Sequence, residues 1–568
     1  KGGHDEDAYP VRRAPYRLAS WPFLETSLSL VASERGEQGW GSVLGRGDLA
    51  RMSMTGFAGW DSRRDQKWTT WLRAGKTDRD ANLLGPLRAT AFAVGDVTST
   101  ALPLVALSKR GRGLTLTNRP LGSTVQFDRV DINGDAPPGW DVELYLDGTL
   151  HAIQTASADG YYRFEQVPLH IGVNRIRTVL YGPSGQTREQ VRTYNIQSAM
   201  RRTGDLQYDL STVQPRRTLL GGEADGYDPS RTDDWNHQLA LRYGVGPTTT
   251  VGLAYAHAAS DSLDRRYLVG ELMQSLGPVF LQASGARNLN GGLASRAALQ
   301  SRLGRRSVFL NFEHYDDFDN AQGIGAEALA RRISARLQGS IGPGAGRDWT
   351  YRLELAAEDY AEDAAGSARN YGIYVGGNAL GLNVGSGLQH VRRSGTAADR
   401  STTGQTFVAG YLQGIRLNGQ LGYQLDGQDL LQTATLGANY AFTTRLRGSL
   451  KASHLFPLGG TTLLSGQLDW DLEPVRLGLR GSVSDEQWEV GLAASSSILP
   501  GPSRHRWVVS GDRLAAQGGA LARAFVDRNH NAVHDDGERP LAGVGFEGHQ
   551  LWQGIRTAED GAAFLPGL

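Results

Sequence analysis

From about Asn236 to about residue 500, apolar and polar side chains alternate in segments of roughly ten residues. Two of these segments set Leu239, Leu241 and Tyr243 against Gln238, Ala240 and Arg242, and Val308, Leu310 and Phe312 against Asn311 and Glu313. Successive side chains of a β-strand point to opposite faces, so each segment has one apolar and one polar face. Gly, Asn, Asp or Pro ends the segments, as expected of turns. The pattern predicts an all-β chain.

The polar face favours a transmembrane barrel over a soluble sheet. It is rich in Arg, Gln, Ser and Asn, as a water-filled lumen would be, and aromatic residues recur at segment ends, where interface girdles lie. These residues are Tyr243, Tyr255, Tyr440, Trp470 and Trp488. No apolar run approaches the roughly 18–20 residues of a spanning helix, which leaves a β-barrel as the way to cross a bilayer. The alternative is a soluble propeller or multi-sandwich array, but no repeat of roughly 40–50 residues is visible.

The segments before and after a central interruption differ in number. About six precede it, at 27–31, 50–58, 67–74, 90–95, 114–118 and 123–127, and roughly eighteen follow Ser211. A total near twenty-four predicts a barrel with an open lumen rather than one filled by side chains. Such a pore leaks unless something closes it.

The residues that interrupt the alternation are predicted to form a small β-sandwich. A Pro-Pro-Gly turn within 134–140 breaks the alternation, and five short strands are predicted at 141–146, 149–156, 161–167, 174–181 and 187–196. The predicted organisation is a tail at 1–20, about six barrel strands at 21–128, the inserted sandwich at 129–199, about eighteen barrel strands at 200–512, and the start of a C-terminal β-sandwich at 513–568. We expect the inserted sandwich to plug the pore.

Several motifs between Leu83 and Gln197 carry a family resemblance. They are Leu83-Leu84-Gly85-Pro86-Leu87, Gly95-Asp96-Val97, Gly111-Arg112-Gly113-Leu114-Thr115-Leu116-Thr117-Asn118-Arg119-Pro120, Pro137-Pro138-Gly139-Trp140-Asp141-Val142, Asp159-Gly160-Tyr161-Tyr162-Arg163-Phe164 and Tyr181-Gly182-Pro183-Ser184-Gly185-Gln186. This block resembles the outer-membrane ushers of the chaperone–usher pathway of fimbrial biogenesis. The residues singled out in the plug are Trp140, Asp141, Asp159, Gly160, Tyr181 and Gly182.

The resemblance implies a twenty-four-stranded barrel with an immunoglobulin-like plug inserted between strands six and seven. It also implies pilus subunits and a periplasmic chaperone as partners, with subunit–subunit strand exchange as the source of free energy. The family has an N-terminal periplasmic domain, whereas only about twenty residues precede the first predicted strand here. Either the sequence is a fragment, or the protein is usher-like, lacks that domain and has different delivery machinery. The C-terminal sandwich is expected to be partial.

The C-terminal segment contains a candidate Ca²⁺ loop. Oxygen-bearing side chains fall at positions 1, 3, 5, 9 and 12 of a twelve-residue stretch, as Asp527, Asn529, Asn531, Asp535 and Glu538. Position 6 is Ala532, where an EF-hand requires Gly, and no helices are predicted around it, so the loop resembles those of bacterial surface sandwich modules. The alternative is an ordinary Asx-rich turn.

The sequence shows no further motif typical of catalysis, cofactor binding or nucleic-acid binding. Lys and Arg number 59 and Asp and Glu number 59, so the net charge of zero predicts no nucleic-acid partner, and cysteine is absent. We predict no enzyme activity, and the candidate Ca²⁺ is the single cofactor that the sequence suggests. Lumen-facing arginines at 332, 336, 352, 476 and 480 either pair with acidic plug residues or form a solvated wall.

The leading hypothesis is a plug-gated usher-like translocation pore, surrounded by lipid in the outer membrane of a Gram-negative bacterium. One alternative is a plugged porin or polysaccharide exporter, and another is a surface multi-sandwich adhesin.

Overall fold

The computed structural model describes residues 16–566 except 64–66, 107, 122–128, 137–140, 147–148, 156–160, 170–172, 182–186, 196–199, 216, 221–234, 261–262, 320–328, 343–348, 362–365, 380–381, 396–397, 428–429, 444, 458–459, 473, 486, 501–506, 512–518, 530–533, 536 and 547–554. These residues are mostly β-structure, with one 3₁₀ turn at Gly85–Leu87. Within them, no helix has the length and apolar character needed to span a membrane.

Six antiparallel strands come first: β1 (Phe23–Ser33), β2 (Gly36–Leu49), β3 (Met52–Asp61), β4 (Trp68–Thr77), β5 (Ala91–Thr98) and β6 (Arg110–Thr117). Six strands were also predicted here, but the predicted segments are not the same six, because β2 was missed. Five glycines in β2 leave gaps in the alternation of side chains, which explains why the pattern was missed. The predicted segment at 123–127 lies outside the described residues.

The inserted domain follows β6. Its strands are β7 (Arg129–Asp135), β8 (Asp141–Leu146), β9 (Thr149–Thr155), β10 (Tyr161–Pro168), β11 (Val173–Tyr181) and β12 (Thr187–Asn195). They form a four-stranded sheet in the order β12-β11-β8-β9 and a two-stranded sheet of β10 and β7. Val142, Leu144, Phe164, Ile176 and Leu180 are buried in its core, so the domain has the apolar interior of a small sandwich.

Eighteen further strands return to the first sheet: β13 (Leu206–Pro215), β14 (Asn236–Gly246), β15 (Thr249–Ser260), β16 (Leu263–Leu276), β17 (Val279–Asn288), β18 (Leu293–Leu303), β19 (Arg306–Asp316), β20 (Leu329–Ile341), β21 (Trp349–Tyr360), β22 (Ser367–Ala379), β23 (Leu382–Arg393), β24 (Asp399–Leu412), β25 (Ile415–Gln424), β26 (Leu431–Ala441), β27 (Leu446–Leu455), β28 (Thr461–Asp471), β29 (Arg476–Val483) and β30 (Trp488–Pro500).

The sheet closes into a barrel of 24 strands. β13 pairs with β6 across the insertion, each later strand pairs with the one before it, and β1 pairs with β30. The predicted all-β fold of a 24-stranded barrel with an inserted domain is therefore confirmed, and the multi-sandwich alternative is wrong. Closure leaves no sheet edge exposed to lipid, as a membrane barrel requires.

The seam between β6 and β13 explains the Gly111-Arg112-Gly113 motif. A Cβ atom at Gly111 would overlap the carbonyl oxygen of Gln214, and one at Gly113 would overlap that of Thr212. The missing side chains let the two backbones approach where the chain rejoins the barrel after the insertion.

The barrel wall has two different faces. In β14, Gln238 and Arg242 are buried toward the lumen, whereas Leu239 is 40% exposed on the outside. In β19, Asn311 is buried and Phe312 is 41% exposed. The predicted alternation is therefore present, with apolar side chains facing lipid and polar ones facing inward.

The two rims differ in the length of their connections. Two-residue turns join β2 to β3, β14 to β15, β16 to β17, β18 to β19 and β24 to β25 at one rim. The connections at 216–235 and 317–328 lie at the other rim and are among the longest between barrel strands apart from the insertion. The trend has exceptions, since 78–90 lies at the first rim and two-residue connections at 34–35 and 261–262 lie at the other. Outer-membrane barrels have short periplasmic turns and longer extracellular loops, so the long-connection rim is extracellular. The inserted domain leaves and re-enters the barrel at the periplasmic rim.

Three short strands end the described chain: β31 (Trp507–Ser510), β32 (Gly519–Arg523) and β33 (Ala562–Pro566). β31 extends the barrel sheet by pairing with β30, while β32 and β33 form a separate two-stranded sheet.

Candidate functional site

The lumen wall carries a series of ion pairs between strands that are adjacent or, for Arg242–Glu271, one strand apart. In order along the wall, they are Arg242–Glu271 at 2.8 Å, Arg296–Glu313 at 3.5 Å, Arg332–Glu313 at 3.6 Å and Arg332–Glu358 at 2.8 Å. The hydroxyl of Tyr315 donates to Glu313 at 3.1 Å, and that of Tyr360 donates to Glu358 at 2.9 Å. Most of these charges are therefore neutralised within the wall, which leaves a hydrated surface with little net charge.

The five arginines predicted to face the lumen pair with the wall itself. Arg332 pairs as described above, Arg336 and Arg352 pair with Glu354, Arg476 pairs with Asp471, and Arg480 pairs with Glu489. All of these carboxylates belong to barrel strands. The ion pairs found among the described residues are thus within the wall, and the prediction that these arginines also meet acidic plug residues stays a prediction.

The inserted domain is seated against one side of the lumen. Its core residues share a single hydrophobic cluster with Met273, Phe280, Ala298 and Phe309, which project inward from β16, β17, β18 and β19. We call these four wall residues the plug seat. Inward-facing residues of β13–β19 are mostly buried, whereas those of β21–β29 are mostly half-exposed, so the domain packs on the β13–β19 side.

A buried hydrogen bond fixes the domain at this seat. The side-chain amide of Gln300 donates to the carbonyl oxygen of Leu169 at 3.1 Å, and Gln300 is only 1% exposed. Leu169 lies directly after β10 and belongs to the shared cluster. A shift of the domain would break this bond and leave a buried carbonyl unpaired, which costs free energy. The bond therefore favours one position of the domain.

The segment at 99–109, between β5 and β6, folds into the lumen. Leu102, Val105 and Ala106 are buried in a second cluster with wall residues of β14 to β20. On the plug side, Arg163 donates to the carbonyl of Ser108 at 2.8 Å. The segment therefore connects the wall to the plug.

The linker that returns from the plug lies against the periplasmic end of the wall. The backbone N–H of Arg201 donates to the hydroxyl of Thr250 at 3.0 Å. Burial lowers the pKa of the Arg201 guanidinium, and the nearby cation Arg242 lowers it further. The linker is therefore packed against the barrel at this point.

Asp96, from the Gly95-Asp96-Val97 motif, has a structural role. One carboxylate oxygen accepts a hydrogen bond from the N–H of Leu72 in β4 at 2.7 Å, and the other accepts one from the N–H of Leu219 at 2.9 Å. The residue thus ties the wall to the segment that follows β13.

Few of the residues singled out in the plug can be placed. Asp141 and Tyr181 are backbone partners at the end of the β8–β11 ladder. Trp140, Asp159, Gly160 and Gly182 lie outside the described residues, so the predictions for them are unchanged.

The candidate Ca²⁺ loop is partly described. Glu538 is 9% exposed and accepts hydrogen bonds from the N–H groups of Arg528 and Asp535, both at 3.0 Å. The side chain of Asn529 donates to Asp535 at 2.7 Å. Asn531 lies outside the described residues, and Asp527 precedes the turn. In the part of the chain that is described, no three His, Cys, Asp or Glu side chains are grouped as a metal site.

The plug seat and the segment at 99–109 were not predicted. The apolar run Leu102-Pro103-Leu104-Val105-Ala106 was a signal for the segment, since such a run in a loop must be covered. The seat has no comparable signal. Phe280 and Phe309 occupy inward positions that look like irregularities in the alternation until the plug is placed beside them.

No protein-family model matches the chain, and no curated protein sequence matches it. A cryo-EM structure of an E. coli P pilus tip assembly intermediate, PapC-PapD-PapK-PapG, is similar, with a TM-score of 0.58 and 14% identity over 98% of this chain and 68% of that chain. The P pilus usher (PapC) translocation pore gives a TM-score of 0.48 and 13% identity over 84% of this chain and 99% of that chain. The ferric-catecholate import receptor Fiu from E. coli K12 gives a TM-score of 0.35 and 9% identity over 85% of this chain and 82% of that chain.

This chain therefore has an usher-like fold. With its apolar outer belt, polar lumen and seated internal domain, it is a plugged β-barrel pore of the outer membrane of a Gram-negative bacterium.

Proposed function

We propose that the protein is a gated translocation pore that assembles pilus-type subunits and secretes them across the outer membrane. The observation that supports this most is the seated plug, inserted between the sixth and seventh strands of a 24-stranded barrel. A similar solved structure is a complex of the usher PapC with PapD, PapK and PapG, described as a pilus assembly intermediate. By analogy, the partners of this chain are pilus subunits delivered by a periplasmic chaperone.

In the proposed closed state, the plug covers the apolar seat and the pore conducts little. Opening separates the plug core from Met273, Phe280, Ala298 and Phe309 and breaks the bond between Gln300 and Leu169. Opening exposes apolar surface to water, so it needs a compensating interaction. An arriving subunit supplies that interaction in the proposed mechanism, and β-strand addition between successive subunits drives export.

The paired charges of the lumen suit the passage of a folded protein. A wall of unpaired arginines would bind acidic patches on its cargo, whereas pairs such as Arg332–Glu358 are already satisfied. The wall therefore allows subunits to pass without strong binding.

Reconstitution with partners tests the proposal. The full chain, expressed with a periplasmic chaperone–subunit complex from the same cell, should co-purify with it in detergent and support fibres on the cell surface. Deletion of the inserted domain should raise single-channel conductance in planar bilayers. A conducting barrel that captures no chaperone–subunit complex and supports no fibres would instead be a plugged channel or polysaccharide exporter.

We also propose that the loop at 527–538 binds Ca²⁺. The fit is partial, because Asn529 and Asp535 are in contact while both carboxylate oxygens of Glu538 accept backbone hydrogen bonds. Ca²⁺ binding would require Glu538 to exchange at least one of these bonds for the ion.

A further inference from the structure

Three arginines stand in one cross-strand row on β22, β23 and β24. Arg369 is the direct partner of Arg392, and Arg392 is the direct partner of Arg400. Directly opposite residues of an antiparallel pair have Cβ atoms about 5 Å apart, so the row concentrates three cations within about 10 Å.

The row faces the outside of the barrel. Two and four residues beyond Arg369, Tyr371 is 49% exposed and Ile373 is 46% exposed, both on the lipid side. Side chains at i, i+2 and i+4 share a face, so Arg369 lies on that side too. Its cross-strand partners lie on the same face, and Leu388, opposite Ile373, continues the apolar surface.

The row also lies at the extracellular end of the wall. Arg392 is next to the last residue of β23, and Arg400 is the second residue of β24, beside the connection at 394–398. That connection is at the same rim as the long segments at 216–235 and 317–328. The arginines are therefore at the level of the outer-leaflet headgroups, and the apolar residues below them are at acyl-chain depth.

Only part of this charge is compensated within the protein. Arg369 and Arg331 both pair with Asp359, at 2.8 and 2.6 Å. Arg392 and Arg400 are exposed and form no ion pair with any described residue. Like charges directly opposite each other destabilise a sheet, so this pair favours a bound anion.

The other charged groups that the structure describes nearby do not remove the excess positive charge. Asp426 accepts hydrogen bonds from the backbone and hydroxyl of Thr402, one row below, and His390 lies opposite Thr402. Among the described residues of this face there are four arginines and two carboxylates, which leaves two positive charges (four minus two). The arginines are Arg331, Arg369, Arg392 and Arg400, and the carboxylates are Asp359 and Asp426.

We propose that Arg392 and Arg400 bind the phosphate groups of a phosphorylated glycolipid of the outer leaflet, with its acyl chains lying along Ile373 and Leu388. Arginine is suited to phosphate because its planar guanidinium donates two parallel hydrogen bonds. An anionic headgroup above an apolar surface matches an amphipathic lipid better than a free anion or an acidic protein segment. The inference rests on the barrel alone and is independent of what the pore transports.

Lipid binding by the full chain tests this site. Purified protein in a non-ionic detergent is titrated with diphosphoryl lipid A, and native mass spectrometry measures the bound fraction. We expect R392Q/R400Q to bind diphosphoryl lipid A at least about tenfold more weakly than the wild type. R447Q/K451Q is the matched control, since it removes two cations from the lumen side of β27 and should bind like the wild type. Without lipid, R392Q/R400Q should melt at a higher temperature than the wild type, because the repulsion is gone.

Three results would overturn the proposal. One is equal binding of lipid A by R392Q/R400Q and the wild type, provided the variant melts cooperatively. Another is equal binding by the wild type of dephosphorylated and diphosphoryl lipid A. The third is full competition by millimolar inorganic phosphate, which would indicate a free-anion site instead of a lipid site.

Discussion

The plug seat offers the sharpest test of the closed state, through replacement of Phe309 by alanine. Phe309 projects into the lumen from β19, is 6% exposed and belongs to the cluster shared with the plug. The guanidinium of Arg336 lies 5.2 Å from the ring centroid, so part of the ring stays covered by the wall when the plug leaves. The substitution should therefore weaken closure more than it weakens the barrel.

The size of the effect follows from the buried ring. Full burial of a Phe side chain contributes about 1.5–3 kcal/mol, and the wall retains some of that contact in the open state. We therefore assign about 2 kcal/mol to plug closure. Since 1.4 kcal/mol corresponds to a factor of ten, the closed-to-open ratio should fall by about 30-fold.

Single-channel recording in planar bilayers measures that ratio as the fraction of time spent in the large-conductance state. Phe312→Ala is the matched control, because Phe312 is on the same strand but is exposed to lipid. It should leave the open fraction unchanged. If the two variants have the same open fraction, the apolar seat does not hold the plug and the reasoning fails.

Three further predictions concern the seam, the candidate Ca²⁺ loop and an extracellular turn. Gly113→Val should prevent closure of the β6–β13 seam and abolish the heat-modifiable band on SDS gels. Gly285→Ala is the control, since its Cβ position is open space, and it should keep the band. A folded Gly113→Val barrel would contradict the importance of the seam glycine. Ca²⁺ should raise the melting temperature of the C-terminal segment, and Glu538→Gln should remove that shift; no shift in the wild type means the loop is a plain turn. Hydrogen bonds from Thr402 lower the pKa of Asp426 from its ordinary value of 3.8, so the contact should persist on acidification until the pH falls through the lowered pKa. Hydrogen exchange of the Thr402 amide measures the contact, and loss of its protection on acidification while the pH is still above 4 would refute the prediction.

The alternation of side chains was enough to predict the barrel. Leu239 and Gln238 sit on opposite faces because strand geometry leaves no other arrangement, so the pattern specified which residues face lipid. It also gave five of the six strands of the inserted domain. The missing one, β7, lies just ahead of the Pro-Pro-Gly turn, and β2 was hidden by its glycines.

The contacts that hold the plug could not be predicted in the same way. Phe309 and Leu169 are far apart in sequence, and no local pattern indicates that they share a cluster. The arginines at 332 and 336 were predicted to face the lumen, but their partners depend on strand register, which places Glu358 opposite Arg332 and Glu354 opposite Arg336.

The sequence by itself determined the two-faced wall and the place of the insertion, because each depends on a short-range pattern of side chains and turns. The total number of strands also agreed, although β2 was missed and the segment at 123–127 was counted in its place. Only the tertiary structure decided where the plug sits, how the lumen charges pair and which arginines align outside. These depend on register and closure, which bring residues from distant strands together and which no local pattern encodes.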